Sequence, residues 1–134
     1  LSPSRQRQMC IRDSMNEVAT AVRENLPLIE VIINNHVLGM VRQWQTLFYD
    51  KRYSSTVLND GVDYVKMAEA MGATGFRATS KEEFTEVFAK ALDMKTPVVI
   101  DCVINCDDKV WPMVAPGAPI SDCFDDKDIE KKGM

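Results

Sequence analysis

Apolar and polar positions along this chain alternate between two periods. Met15, Val18, Ala19 and Val22 recur at helical spacing, predicting an amphipathic helix that Pro27 would end. Leu28-Ile29-Glu30-Val31-Ile32-Ile33 is short, β-branched and nearly continuous in apolar residues, the pattern of a buried strand. Val37 to about Phe48 reads as a second helix with Gly39 near its start, and residues 49–62 are polar and turn-rich, with Asn59-Asp60-Gly61 as a turn. Tyr64, Val65, Ala68 and Met71 then mark a helix stopped by Gly72 as its C′ residue. Gly75-Phe76-Arg77-Ala78 predicts a short strand. Ser80 and Glu83 have capping-box spacing before the helical face Phe84, Val87, Phe88 and Ala91. Pro97 to Ile104 is the last apolar run, a third strand.

Helix alternating with strand predicts an α/β fold, a parallel sheet with flanking helices and strands near 28–33, 74–79 and 97–104. Residues 15–104 would form that domain. Residues 105–134 would form a tail rich in Pro, Gly and Asp, with a short solvated helix near 125–131. Residues 1–14 are polar, basic and without periodicity; we expect a non-native or disordered leader that packs little against the rest, since ordering costs about 1–2 kcal/mol per residue.

Composition narrows the class without naming it. At 134 residues, 46% apolar and 27% charged, the chain can build one modest core. A net charge of −4 gives no footprint for nucleic acid, and no apolar run approaches the length of a membrane helix. The four cysteines have no Cys-x-x-Cys pairing, and with one histidine they do not make a zinc site. Cys102 falls in a strand, where a buried free thiol is the expectation, and reduced thiols fit a cytoplasmic protein.

The chemistry concentrates after the first strand. Two carboxamides, Asn34 and Asn35, stand at its end and are followed by Gly39. In open parallel sheets ligands sit beyond the carboxyl ends of strands, and a neutral Asn oxygen suits a hard cation such as Mg²⁺. Taken alone, the pair reads as a turn rather than a ligand site, since Asn tolerates the left-handed conformation and is common in loops.

The surrounding residues extend that signal. Asn16-Glu17-Val18-Ala19-Thr20-Ala21, Arg23-Glu24-Asn25-Leu26-Pro27, Asn34-Asn35 and Leu38-Gly39-Met40-Val41-Arg42-Gln43-Trp44-Gln45 resemble the cofactor-binding domain of thiamine-diphosphate enzymes. The resemblance is closer still to acetolactate synthase large, catalytic subunits. Leu47-Phe48-Tyr49, Arg52-Tyr53-Ser54, Ala68-Glu69-Ala70-Met71-Gly72 and Trp111-Pro112-Met113-Val114 continue it, so that it covers nearly everything from Met15 onward. Gly-Met-Val-x-Gln-Trp carries it most specifically.

The resemblance implies a partial thiamine-diphosphate-binding fold. It implies a parent enzyme of branched-chain amino acid biosynthesis that decarboxylates pyruvate and joins the two-carbon unit to a second 2-oxo acid, pyruvate or 2-oxobutyrate. Asn35 would ligate Mg²⁺ through its side-chain oxygen and Val37 through its backbone carbonyl. Gly39 and Met40 would lie against the cofactor, and Met40, Val41 and Trp44 would line the substrate channel. Asn34 would secure the turn by hydrogen bonds, His36 would be a solvated loop residue, and Arg42 would occupy an exposed helix face. No residue of this chain is expected to be catalytic. The parent would also bind FAD in another domain, form a homo-oligomer and pair with a regulatory small subunit. The Gly-Asp-Gly that the family places before the first helix is absent, and Asp13 lacks its glycines, so the chain alone is expected to be an inactive fragment. Two other readings are another thiamine-diphosphate decarboxylase or carboligase, against which Met40 to Trp44 argues, and a non-catalytic α/β binding module.

Overall fold

The computed structural model describes residues 15–58 and 61–132. The leader expectation for residues 1–14, and Asn59 and Asp60 of the expected turn, lie outside the described residues. The described residues form two compact units, the first from residues 15–34 and 61–104, the second from residues 35–58 and 105–132.

The first unit is a three-stranded parallel sheet. Its strands are β1 (Ile29–Asn34), β2 (Thr74–Ala78) and β3 (Val98–Val103), in the order β1-β3-β2. The register runs Ile29 beside Val98 and Thr74 beside Val98, so β3 is paired on both sides. That position explains its near-continuous apolar sequence: Val98, Val99 and Ile100 are almost wholly buried. Each contributes about 1.5–3 kcal/mol through the apolar surface it removes from water.

Successive β3 side chains serve opposite faces. Val99 packs with Val18 of α1 (Met15–Arg23) and Ala68 of α2 (Tyr64–Ala70), joined by Val22, Ile32 and Met67. Val98, Ile100 and Cys102 face α3 (Lys81–Asp93), meeting Ala91, Phe84, Val87 and Phe88. The α3 face is therefore the one the apolar spacing predicts. Cys102 is a buried free thiol, as its strand position predicts, and desolvation raises its pKa.

Two helix ends are closed by one device. After α2, Gly72 at φ +85° lets its N–H reach the Glu69 carbonyl at 2.9 Å and the Ala73 N–H reach the Ala68 carbonyl at 3.0 Å. After α1, Asn25 at φ +50° makes the same pair of bonds, from Asn25 to Val22 at 3.1 Å and from Leu26 to Ala21 at 2.9 Å. The turn at Asn25 thus ends α1 before Pro27, which corrects the expected stop. The buried face of α1 also shifts: Val18 and Ala21 are buried while Ala19 is exposed.

The second unit contains α4 (Gly39–Phe48), a short 3₁₀ turn (Ile120–Asp122) and α5 (Asp126–Lys132). Its buried residues are Val37, Gln43, Thr56, Met113 and Phe124. Val37 bridges Val57, and Met113 bridges Phe124, each antiparallel. Phe124 meets the rings of Phe48 and Trp111 edge-on at centroid distances of 6.4 and 6.0 Å.

Candidate functional site

β1 delivers the carboxamide pair, and the two residues part immediately. The Asn34 side chain turns into the first unit, where it is buried. Its Nδ2 donates to Oδ1 of Asp101 at 3.0 Å, and Asp101 is 2% exposed. The other carboxylate oxygen of Asp101 accepts from Arg77 Nε at 3.1 Å. Arg77 reaches on to Asp63 at 2.8 Å, and Asp63 also caps α2 by accepting from the Lys66 N–H. That backbone bond, followed by Arg77, holds the Asp63 carboxyl below its ordinary range. Asn34 therefore ties β1 to β3 through a buried side-chain bond whose acceptor lies 67 residues away.

Asn35 belongs to the second unit and is half-buried. Its Oδ1 accepts from the Val37 N–H at 3.2 Å, a side-chain turn across His36. His36 is exposed at φ +56°, consistent with a loop position. Val37 is buried, and the backbone around it is held by Leu38 N–H to the Thr56 carbonyl and Leu58 N–H to the His36 carbonyl, at 2.8 and 2.9 Å. A Cβ at Gly39 would stand 2.5 Å from Asn35 Nδ2, so glycine makes room for the Asn35 amide over the first turn of α4. Leu38 precedes that turn without capping it by a side chain. The structure thus gathers Asn35, Val37 and Gly39 in one short segment. Oxygen donors beside an open helix N-terminus suit a hard cation with an anionic ligand. Among the described residues, no three His, Cys, Asp or Glu side chains come together to hold a metal ion.

One face of α4 is open. Met40, Val41 and Trp44 line a cavity of about 630 Å³ together with Gln45, Tyr49 and Arg52. Met40 and Val41 are about half exposed, which rules out a shared core as the reason for their spacing. Trp44 is braced by Phe48, edge-on at 5.7 Å. The sequence reading missed Gln45, Tyr49 and Arg52 as wall residues. The signal for Gln45 was present, since it lies one turn beyond Val41 on the same helix face.

Arg42 corrects another expectation. Its side chain is 16% exposed, its Nε donates to Asp107 at 2.7 Å, and its guanidinium lies 4.1 Å from the centroid of the Tyr53 ring. The Arg42 hydrogen bond holds the Asp107 carboxyl below its ordinary range. A partner 65 residues away turns an apparently solvated arginine into a fastening one.

A parallel sheet flanked by helices, with oxygen donors in the segment that leaves a strand's carboxyl end, defines an α/β cofactor-binding domain. Residues 10–102 match the thiamine pyrophosphate enzyme family, C-terminal TPP binding domain, and the chain belongs to that family. It is 45% identical over 114 residues to an acetolactate synthase of Mycobacterium avium, covering 81% of this chain and 18% of that protein. It is 44% identical over 118 residues to the acetolactate synthase large subunit of Corynebacterium glutamicum, covering 84% of this chain and 19% of that protein. The chain thus spans about a fifth of the length of these relatives. Among solved structures, the thiamine diphosphate-dependent 4-hydroxybenzoylformate decarboxylase of Rhodococcus jostii RHA1 shares the fold. Its TM-score is 0.63 at 24% identity, over 71% of this chain and 18% of that one.

Proposed function

We propose that this chain is a segment of an acetolactate synthase large subunit. Its whole protein would decarboxylate pyruvate and condense the two-carbon unit with pyruvate or 2-oxobutyrate, in branched-chain amino acid biosynthesis. The observation that carries this reading is the 44–45% identity to acetolactate synthases across about four fifths of the chain. The exposed Met40-Val41-Trp44 wall supports it, because an apolar face left open beside the donor segment suits a substrate channel better than a core.

In this reading Asn35 Oδ1 and the Val37 carbonyl hold Mg²⁺, which in turn holds the diphosphate. The close approach at Gly39 keeps the Asn35 amide in place. Met40 and the first turn of α4 lie against the cofactor, and Trp44 shapes acceptor preference and inhibitor sensitivity. Thiamine diphosphate, when bound, supplies the electron sink for decarboxylation; the protein orients it and excludes water. FAD, further large subunits and a regulatory small subunit complete the whole protein, which we place in the cytoplasm. Among the described residues no helix is long and apolar enough to cross a membrane.

The test is a graft of residues 15–134 in place of the matching segment of the Corynebacterium glutamicum enzyme. The graft should form acetolactate from pyruvate. Asn35→Ala in it should abolish retention of Mg²⁺ and thiamine diphosphate. Trp44→Leu should leave retention intact and change the ratio of 2-oxobutyrate to pyruvate used as acceptor. A correctly folded graft without acetolactate formation, or one in which Asn35→Ala retains cofactor, would overturn the assignment.

A further inference from the structure

The face of α4 opposite the cavity wall carries a second set of contacts, all within the second unit. Gln43 is 3% exposed, and its carboxamide makes paired bonds to one backbone residue. Oε1 accepts from the Val110 N–H at 2.9 Å, and Nε2 donates to the Val110 carbonyl at 2.9 Å and contacts Met113 Sδ. Alongside it, Arg42 holds Asp107. The same loop is shaped from within by the Asp107 N–H donating to Asn105 and the Asn105 N–H donating to Asp108. Positions 42, 43 and 46 of α4 thus face residues 106–109, while positions 40, 41, 44 and 45 face the cavity.

We propose that Gln43 is a positioning residue. Its paired bonds to Val110 fasten the segment 105–113 to the back of α4 and so fix the rotation of the helix that presents Met40 and Trp44 to the cavity. At neutral pH the carboxamide is the one side chain of its length that both donates to and accepts from a single backbone residue without charge. A leucine of similar size would fill the space and leave the N–H and the carbonyl of Val110 without this partner. That this wall serves a 2-oxo acid rests on the proposed function; the fastening itself does not.

The test uses the ¹⁵N-labelled 134-residue chain and reads amide-exchange protection at Val110 and the indole N–H resonance of Trp44. The two tryptophan resonances are distinguished with Trp111→Phe. In Gln43→Leu, Val110 protection should fall about tenfold, the effect of one lost hydrogen bond. The Trp44 resonance should shift, while Ile100 at the sheet centre keeps its protection and reports that the fold survives. Gln43→Glu provides a readout that packing alone would not move. Protonated, the introduced carboxylic acid donates to the Val110 carbonyl and accepts from the Val110 N–H, as glutamine does. Ionised, it has no hydrogen for the Val110 carbonyl and sets a second oxygen against that carbonyl oxygen, a repulsion that drives the pair apart even though a carboxylate can still accept from the N–H. Val110 protection, corrected for intrinsic exchange, should therefore be near wild type at acid pH and fall as pH rises. The charged and titratable neighbours lining that side are Arg42, Cys106, Asp107, Asp108 and Lys109. Asp107→Asn in the same background separates their titration from that of the introduced carboxyl group. Protection unchanged in Gln43→Leu, or protection in Gln43→Glu that does not depend on pH, would overturn the fastening. A Val110 that loses protection while Trp44 stays unmoved would overturn the positioning role. Should Gln43→Leu lose the fold, the pH profile of Gln43→Glu decides alone. Failure of the graft to form acetolactate would count against the proposed function and leave these outcomes unaffected.

Discussion

Asp101 shows what a single residue can hide. It sits in the middle of the most apolar strand, nearly inaccessible, and joins Asn34 of β1 to Arg77 of β2. Asp101→Ala removes the bond that Asp101 Oδ1 accepts from the buried Asn34 amide, whereas Arg77, 45% exposed, can turn to water and keep Asp63. The loss should therefore lie at the low end for a broken buried pair, about 2–3 kcal/mol. Asp101→Asn, which keeps an oxygen for Asn34, should lose less. Urea unfolding checks both, and equal midpoints for Asp101→Ala and the wild type would refute the role. At this scale the sequence is least legible. Asn35 and the α4 wall could be named because their neighbours lie within a few positions. The bonds described for Asn34, Arg42 and Gln43 reach residues 65 to 70 positions away, and no local pattern announces them.

Whole elements were far more legible, because periodicity and capping are local. The three strands fall within a residue or so of their expected bounds and are parallel. The N-terminus of α3 shows why. Ser80 accepts from the Glu83 N–H at 3.1 Å, and Glu83 reaches back to the N–H and hydroxyl of Thr79, both at 2.7 Å. The carboxylate reaches one residue further than a capping box requires, but the signal at Ser80 and Glu83 stands. Ser80→Ala should cost about 1 kcal/mol, read as a lowered thermal midpoint. Glu83 carries a pH dependence of definite sign. The Thr79 backbone bond, then the Thr79 hydroxyl, hold its carboxyl below the ordinary glutamate range. A depressed folded pKa gives stability that is fully present above that range and is lost as pH falls through the depressed value. The acid limb of a stability profile should flatten in Glu83→Gln, with no change near neutral pH arising from this titration. An acid limb identical to wild type would show that the contact does not form in solution. The end of α1 escaped the sequence reading because Asn at φ > 0 takes the place usually assigned to Gly, and the nearby Pro27 is the stronger stop signal in the sequence.

At the scale of the molecule, the sheet and the family were legible, the first from alternation of period and the second from the run Gly39 to Trp44. The division into two units was not, since residues 105–132 join residues 35–58 through contacts that no linker composition marks. That arrangement bears on what the isolated chain can bind. The proposed metal donors are two neutral oxygens, Asn35 Oδ1 and the Val37 carbonyl. The described residues add no group of three His, Cys, Asp or Glu to them. Mg²⁺ gives up its water reluctantly and is usually held by at least one carboxylate with substrate phosphates. Two neutral donors, one of them already accepting from the Val37 N–H, fall short of that. Titration calorimetry of the 134-residue chain with Mg²⁺ and thiamine diphosphate together should therefore show weak binding or none. In the graft, where the segment sits among the rest of a large subunit, Asn35→Ala should reduce apparent cofactor affinity far more than Asn34→Ala, because in the proposed site only Asn35 offers its oxygen to the metal. Micromolar binding by the isolated chain, or equal losses from the two asparagines in the graft, would place the metal on other residues.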